Sequence, residues 1–374
     1  MEYLVNSKKA LKHQFQPHHD QPGLVSISQV QQMMKCPKSW AFNYLEKITP
    51  RVERPYLTVG KLCHAGMAAA WNERFRQQTV GADDISGIYK AGAEAILADF
   101  RAYMEANDFL PEEIPEQEAN KSAALHIFYN ALQRVDPSRF YVVGLDLLTP
   151  MVEFHFIVPC PGSKGMHGYI DAVLQEVDTG HIWAVDWKFR SQMSSDAEEP
   201  FNLQNAVYNY ALHKMGVRVT GSLTWQHLNQ PPAIPSMNKN GTMSRAKIRT
   251  TWEDYKSHLE AAGLDPEEYR EEMQDKLADI VWDRQTKEYR NDLTLQQTWQ
   301  QIIVPVVRQI ASKRKKITYS MFPWNCKICH YNPICLAEMR GYDVDFIKEA
   351  AYMPKPEYRQ DVKNLIDTNE DGDV

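Results

Sequence analysis

Apolar and polar positions divide the chain into helical stretches around one strand-rich block. Residues 26–48, SISQVQQMMKCPKSWAFNYLEKI, carry apolar side chains at helical spacing, with Ser26 or Ser28 placed to cap the first turn. Residues 60–80, 87–107 and 118–134 predict three further helices. From about 141 to 190 the period shortens. FYVVGLDLL, MVEFHFIVP and a hairpin read as strands from their alternation and β-branched content. The hairpin strands cover roughly 166–177 and 181–189 and meet at Asp178-Thr179-Gly180. Residues 201–214 return to helix, and GSLTWQHLN predicts a strand beside the hairpin. QPPAIPSMNKNGTMS is a loop rich in Pro, Gly and Asn and marks a boundary, and from about 251 to 316 the pattern is helical and highly charged. The end, DTNEDGDV, is expected to be disordered. There is no internal repeat and no long low-complexity segment. The fold class is α/β, a small mixed sheet embedded in helices.

The hairpin, HGYIDAVLQEVDTGHIWAVDWKFR, is unusual for a half-buried pair of strands because it contains Asp171, Asp186 and Lys188. Each is depleted from strands and costly to bury unpaired. Side chains alternate along a strand, so Asp186 and Lys188 share a face. If Asp178-Thr179 is the central pair of the turn, position 171 lies opposite 186, whereas a one-residue slip puts the two aspartates on opposite faces. In the first register two carboxylates and an ammonium converge, an arrangement that suits Mg²⁺ or Mn²⁺ and metal-assisted phosphodiester hydrolysis. The alternative reading is a pair of surface salt bridges, since D-x-K is a common tripeptide. The neighbours bear on this choice. Glu153 lies in the preceding predicted strand, Gln204 and Tyr208 are spaced i, i+4 on the following helix, and His64 begins an otherwise apolar helix in VGKLCHAGMAAAW.

Composition changes the picture in three respects. With 374 residues, 43% hydrophobic and 24% charged, the chain is long enough for one large domain with insertions or two modest ones. No run of eighteen apolar residues occurs. The N-terminus lacks the apolar region and cleavage site of a secretion signal, so a cytoplasmic location is expected. The six cysteines should then stay reduced, which favours a metal or redox role for clustered thiols over disulfides. Cys326, Cys329 and Cys335 form C-x2-C-x5-C and need a fourth ligand; His330 is the local option and Cys36 the remote one. Spacing alone does not separate zinc from iron–sulfur. Cys63 and Cys160 have no partner pattern and read as small core residues. The net charge of −6 does not favour nucleic acid by itself, but SKRKK, which includes Lys313, Arg314, Lys315 and Lys316, is a compact basic run. It reads equally as a solvated helix end or a DNA contact.

Taken in order, Gly60-x-x-x-His64, Glu153, Gly168-x-x-Asp171, Asp186-x-Lys188 and Gln204-x-x-x-Tyr208 resemble the RecB-type branch of the PD-(D/E)XK nuclease superfamily, over about 150 residues. Residues 26–48 also resemble the opening of such domains. The resemblance implies a restriction-endonuclease-like fold in which Asp171, Asp186 and His64, with the Trp187 carbonyl as a further donor, ligate Mg²⁺ or Mn²⁺. It implies that Lys188 is the catalytic lysine, that Glu153 supports the metal or its waters, and that Gln204 and Tyr208 position the lysine and the DNA strand. The cysteines are similar to those of RecB-type nucleases with an iron–sulfur cluster, including CRISPR-adaptation exonucleases and bacterial end-resection nucleases. That likeness makes Cys36 the fourth ligand of a 4Fe–4S cluster, with zinc the less favoured alternative. A cross-link from Cys36 to Cys326 would contribute roughly 5–6 kcal/mol by loop entropy as an upper figure, which suits a structural cluster.

These readings predict a stand-alone, metal-dependent DNA exonuclease acting from single-stranded or otherwise free ends in recombination, repair or phage and CRISPR DNA processing. No G-x-x-x-x-G-K-[ST] is present to signal a helicase motor. Arg190 and the 313–316 cations are candidates for phosphate contacts, and Trp187 for stacking on unpaired bases, although an aromatic in a strand is more often core. A partner protein in DNA processing and self-association are both compatible with this reading. The alternative is a non-cleaving DNA-binding scaffold that keeps the fold and the cluster. The expected organisation is an extension (1–25), a helical region with Cys36 and His64 (26–140), the nuclease core (141–230), a loop and helical insertion (231–320), the cysteine segment (321–345) and a tail (346–374).

Overall fold

The computed structural model describes residues 23–51, 55–107, 109–229, 232–278, 281–312 and 317–355. The basic run from Lys313 to Lys316 and the tail beyond 355 lie outside them. The chain enters through β1 (Val25–Ser26) and α1 (Ile27–Lys35), whose first turn is capped by Ser26 Oγ accepting from the Gln29 amide. The single helix expected over 26–48 is broken at Cys36, which is extended at φ −165°, ψ 109°. The cause is Pro37, whose ring excludes helical geometry from the residue before it. The helix resumes as α2 (Pro37–Trp40) and a π turn (Ala41–Leu45), so Cys36 sits at the break rather than inside a helix. After β2 (Ile48–Pro50) come three long helices, α3 (Pro55–Val80), α4 (Ile85–Glu105) and α5 (Ile114–Val135). α3 and α4 cross closely at Gly92, where a Cβ would stand 2.8 Å from the Gly66 carbonyl oxygen and closer still to the Phe128 ring.

The strands are β3 (Phe140–Val142), β4 (Val152–Val158), β5 (Met166–Glu176), β6 (Ile182–Arg190), β7 (Gly221–Leu228) and β8 (Asp283–Tyr289), with α6 (Leu203–Lys214) crossing between β6 and β7. β3 and β4 pair antiparallel along one edge of β5. The other edge takes β6 antiparallel at Ala172–Gln175 and β1 parallel at Met166–His167. β7 lies parallel to β6, and β8 closes the sheet antiparallel to β7. β8 corrects the expectation of an all-helical stretch over 251–316. Its sequence, DRQTKEY, has almost no apolar side chain because an edge strand needs none, so no hydrophobic alternation marks it.

One face of the sheet is covered by α3–α5 in a core that includes Trp71, Phe128, Trp183, Trp187 and Trp225. The other is covered by α1, α6 and the helix pair α9 (Asp292–Thr298) and α10 (Val304–Ala311), through Val30, Phe156, Val207, Trp299 and Val307. Between β7 and β8, residues 233–249 form a hairpin-like arm braced on α7 (Trp252–Ala261) and α8 (Glu267–Ala278), which have a small core of their own around Tyr255, Leu259 and Met273. The C-terminal module of α11 (Pro323–Lys327), α12 (Asn332–Arg340), α13 (Val344–Ala351) and β9 (Tyr352–Pro354) folds back on the start of the chain. β9 pairs with β2, Tyr331 packs on Phe42, and Lys38 bonds Glu338 at 2.8 Å.

Candidate active site

The hairpin register is the one that brings the aspartates level. Ala172 pairs with Val185, which puts 171 opposite 186 at the next step, and Glu176 and His181 close a four-residue loop with Gly180 at φ +69°. The regular ladder ends there, however. Beyond Ala172 β5 pairs with β1 while β6 continues along β7, so the sheet forks at Asp171. Asp171 spans the fork: its Oδ2 accepts the Trp187 amide at 2.7 Å, replacing a lost ladder bond. The simple alternation of faces also fails at this level. Ile170 and Phe154 face the α1–α6 core, whereas Ala172 and Val152, two residues away on the same strands, face the α3–α5 core. Between them, opposite Asp171 in the β4–β5 register, Glu153 has φ +46°. A left-handed residue within a strand is strained, and such strain concentrates at functional sites.

His64 comes from α3, its ring edge-on to Phe189 at 5.5 Å and its Nδ1 3.8 Å from Asp171 Oδ2. His64, Glu153 and Asp171 offer ligand atoms that all lie within 4.8 Å of one another. Desolvation in this crowded cleft, reinforced by the Lys188 ammonium, lowers the His64 pKa despite the nearby carboxylates. The imidazole is thereby kept neutral, as a metal ligand must be.

Asp186 is fully buried. Its Oδ1 accepts from Lys188 Nζ at 2.7 Å and from Gln204 Nε2 at 3.2 Å, while Oδ2 is buried with no hydrogen-bond partner. Gln204 Oε1 also takes Lys188 Nζ at 3.1 Å, and Gln204 Nε2 reaches the Tyr208 hydroxyl at 2.6 Å. Burial, with Asp171 and Asp186 nearby, raises the Tyr208 pKa well above its usual value, so the phenol stays neutral. α6 holds these side chains through a buried polar seam that the sequence reading missed. Glu199 Oε2 accepts from Asn205 Nδ2 at 3.1 Å and Thr224 Oγ1 at 2.9 Å, and Asn209 Nδ2 donates to Ser222 Oγ at 2.6 Å. Its signal was Asn205 and Asn209, a polar i, i+4 pair beside Gln204 and Tyr208. Gly168 completes the packing, since a Cβ there would stand 2.9 Å from the Phe156 ring.

The residues singled out in the sequence are therefore brought together, with two differences. The closest ligand set joins Glu153, rather than Asp186, to His64 and Asp171. The Trp187 ring is fully buried in the α3–α5 core, which decides for the core reading over a base-stacking platform: a position between Asp186 and Lys188 on the strand faces the opposite layer. The donors fit a hard divalent cation. Carboxylates and a neutral imidazole converge, and the orphaned Asp186 Oδ2 is an acceptor that burial would otherwise penalise.

Cys36, Cys326, Cys329 and Cys335 line a separate cleft of ≈ 730 Å³, together with His330. Desolvation and the neighbouring Cys329 and Cys36 push the Cys335 thiol up to about 12. Cys63 and Cys160 are fully buried elsewhere, and burial raises both thiols.

A family model described as the PD-(D/E)XK nuclease superfamily matches residues 24–336, a span that holds every one of these site residues. Among curated proteins no relative matches the chain. No helix among the described residues is long and apolar enough to cross a membrane.

Proposed function

The chain belongs to the PD-(D/E)XK nuclease superfamily, and from that premise we propose that this nuclease is a Mg²⁺- or Mn²⁺-dependent DNA exonuclease working from single-stranded ends. The observation that carries the catalytic part is Asp186. One oxygen is committed to Lys188 and Gln204, and the other is buried without a partner beside a fork that gathers His64, Glu153 and Asp171. These four side chains would hold the cation, with the Trp187 carbonyl as a further donor. A divalent cation there would polarise a phosphoryl oxygen and lower the pKa of a bound water. Lys188, oriented by Asp186 and Gln204, is placed to receive or steer the attacking water and to offset charge building on the phosphate. Tyr208 holds Gln204, and neutral His64 leaves its lone pair available.

Action at strand ends, and a place in recombination, repair or phage and CRISPR DNA processing, rest on the motif order shared with RecB-type nucleases. So does the 4Fe–4S cluster proposed for the four cysteines in a reducing, cytoplasmic setting. One observation supports a shared centre for the four: the remote Cys36 reaches the same cleft as the C-terminal three. The preference for 4Fe–4S over zinc rests on the resemblance.

The test is nucleotide release from end-labelled single-stranded DNA by anaerobically purified protein in Mn²⁺, Mg²⁺ or EDTA, beside Asp186→Ala and Lys188→Ala. We expect metal-dependent release that falls by at least about 10³ in both variants. Equal DNA binding by all preparations with cutting by none would replace this reading with the scaffold one.

A further inference from the structure

With Trp187 in the core, the exposed aromatic rings lie elsewhere. Of the nine tryptophans Trp324 alone is exposed, at 80%, and Phe322, two residues before it, is 68% exposed. Both lie in ITYSMFPW, residues 317–324, which leads into the first turn of α11. Tyr319 and Met321 of the same stretch are exposed as well. Backbone bonds anchor the stretch on both sides of these rings. The Lys38 amide donates to the Thr318 carbonyl, and the Cys326 amide to the Phe322 carbonyl. The rings are therefore displayed on a tethered segment and contribute little to either core. A contiguous apolar patch left in water marks an interaction surface.

The charged groups around the patch narrow the choice of partner. Residues 317–341 hold two cations, Lys327 and Arg340, and one carboxylate, Glu338. Glu338 is engaged by Lys38 Nζ at 2.8 Å and by the Tyr319 hydroxyl. Lys327 Nζ stands 5.8 Å from the centroid of the Trp324 ring. Lys35, exposed in the last turn of α1, lines the same cleft as Tyr319, Met321 and Pro323. A second copy docked here about a two-fold axis would set Lys35 and Lys327 against their own counterparts. Duplex DNA keeps its base faces inside its own stack. A single strand offers flat apolar faces for the rings and phosphates for the ammonium groups.

We propose that Phe322 and Trp324 form a stacking platform for the unpaired bases of single-stranded DNA, with Lys35 and Lys327 beside it for the phosphates. The proposal rests on the nuclease reading for its substrate but concerns residues outside the candidate active site. Stacking on an aromatic ring tolerates any sequence, because every base has a π-face, whereas the lysine contribution is salt-dependent.

The experiment measures binding of fluorescein-labelled strands to the full chain in EDTA across a salt series. An oligothymidylate of about 16 nucleotides is compared with an abasic strand of equal length. Phe322→Ala/Trp324→Ala should weaken the oligothymidylate about tenfold or more and leave the abasic strand unchanged. The ring-keeping Phe322→Tyr/Trp324→Phe should restore most of that loss. Lys35→Ala/Lys327→Ala should weaken both strands and lower the salt slope by about 1.4. Strands carrying 5-iodouracil, irradiated on the wild-type protein, should crosslink at Phe322 or Trp324, a readout that needs no variant to fold. Wild-type affinity in an alanine pair with a folded circular-dichroism spectrum overturns the platform, as does an equal loss on both strands. Crosslinks confined to other residues overturn it too. A wild-type dimer that the alanine pair dissolves, with DNA affinity unchanged, gives the patch to a second copy instead. Asp186→Ala, assayed for cleavage in parallel, separates the two readings: a failed platform leaves its effect on cutting intact, and a failed active-site assignment leaves the binding series intact.

Discussion

Glu153 stands at φ +46° as the second residue of β4, opposite Asp171, where any side chain but glycine's is disfavoured. A strain of about 1–3 kcal/mol is tolerated there because the surrounding sheet over-determines the backbone. The result is a carboxylate aimed at His64 and Asp171. Gly168 illustrates the opposite requirement, since its missing Cβ lets the Phe156 ring pack against β5, edge-to-face with Tyr208 at 5.9 Å. Gly168→Ala should cost about 1–3 kcal/mol, the usual penalty for overpacking, read as a lower urea midpoint with an unchanged m-value. A shift of under 0.5 kcal/mol would mean that Phe156 moves aside freely. Both residues were legible only as types in a spacing; the reason each type is needed appears only with the neighbouring strand.

At the scale of elements, the sheet forks because β5 changes partners, and β8 closes the free edge of β7 with polar side chains. An ion pair between buried Glu176 and the exposed Lys287 ties β8 back to the hairpin: Glu176 is held by Lys287 Nζ at 2.8 and 3.1 Å and by Thr179 Oγ1 at 2.8 Å. Burial alone would raise the Glu176 pKa, but these hydrogen bonds and the Lys287 charge outweigh it and hold the carboxyl below its ordinary value. Because the folded pKa is depressed, this stabilisation is complete above the unfolded value, about 4.3, and is lost as pH falls through the folded value. Glu176→Gln should therefore cost about 1–3 kcal/mol at pH 7 and progressively less in acid. Denaturant curves at pH 7 and pH 3 measure this, and an identical cost at both would contradict it. β8 escaped the sequence reading for the same reason it works as an edge: solvent and one neighbour ask nothing apolar of it.

At the scale of the whole molecule, the early segment around β2 meets the last described segment. β2 pairs with β9, Lys348 bonds Glu46 at 2.6 Å, and Tyr331 donates to the Ile48 carbonyl. The proposed cluster adds a covalent closure across a loop that only unfolding would release, so its loss should cost up to roughly 5 kcal/mol. Cys36→Ser, purified anaerobically, should lose its iron and its visible absorption and melt well below the parent. Cys63→Ala should keep full iron, since Cys63 lies in the α3–α5 core. Iron retained in Cys36→Ser, or iron lost equally in both, would remove Cys36 from the ligand set.

What the sequence by itself determined is the order of the elements from α3 to β7 and the identity of the polar residues at the fork, while the hairpin register and β8 came from the structure. The first two are set by local physics: hydrophobic period, turn chemistry, and the cost of placing Asp171, Asp186 and Lys188 in strands. What only the tertiary structure decided is which of them meet. Glu153 joined His64 and Asp171 because a left-handed residue shifts the phase of β4. Of the two readings open for Trp187, core and base-stacking surface, the structure took the core because two layers cover the sheet. Cys36 met three cysteines about 290 residues away because β2 and β9 pair as strands, a closure whose entropy grows only with the logarithm of the loop. Such contacts depend on chain reversal and packing between distant segments, and no periodicity within one segment encodes them.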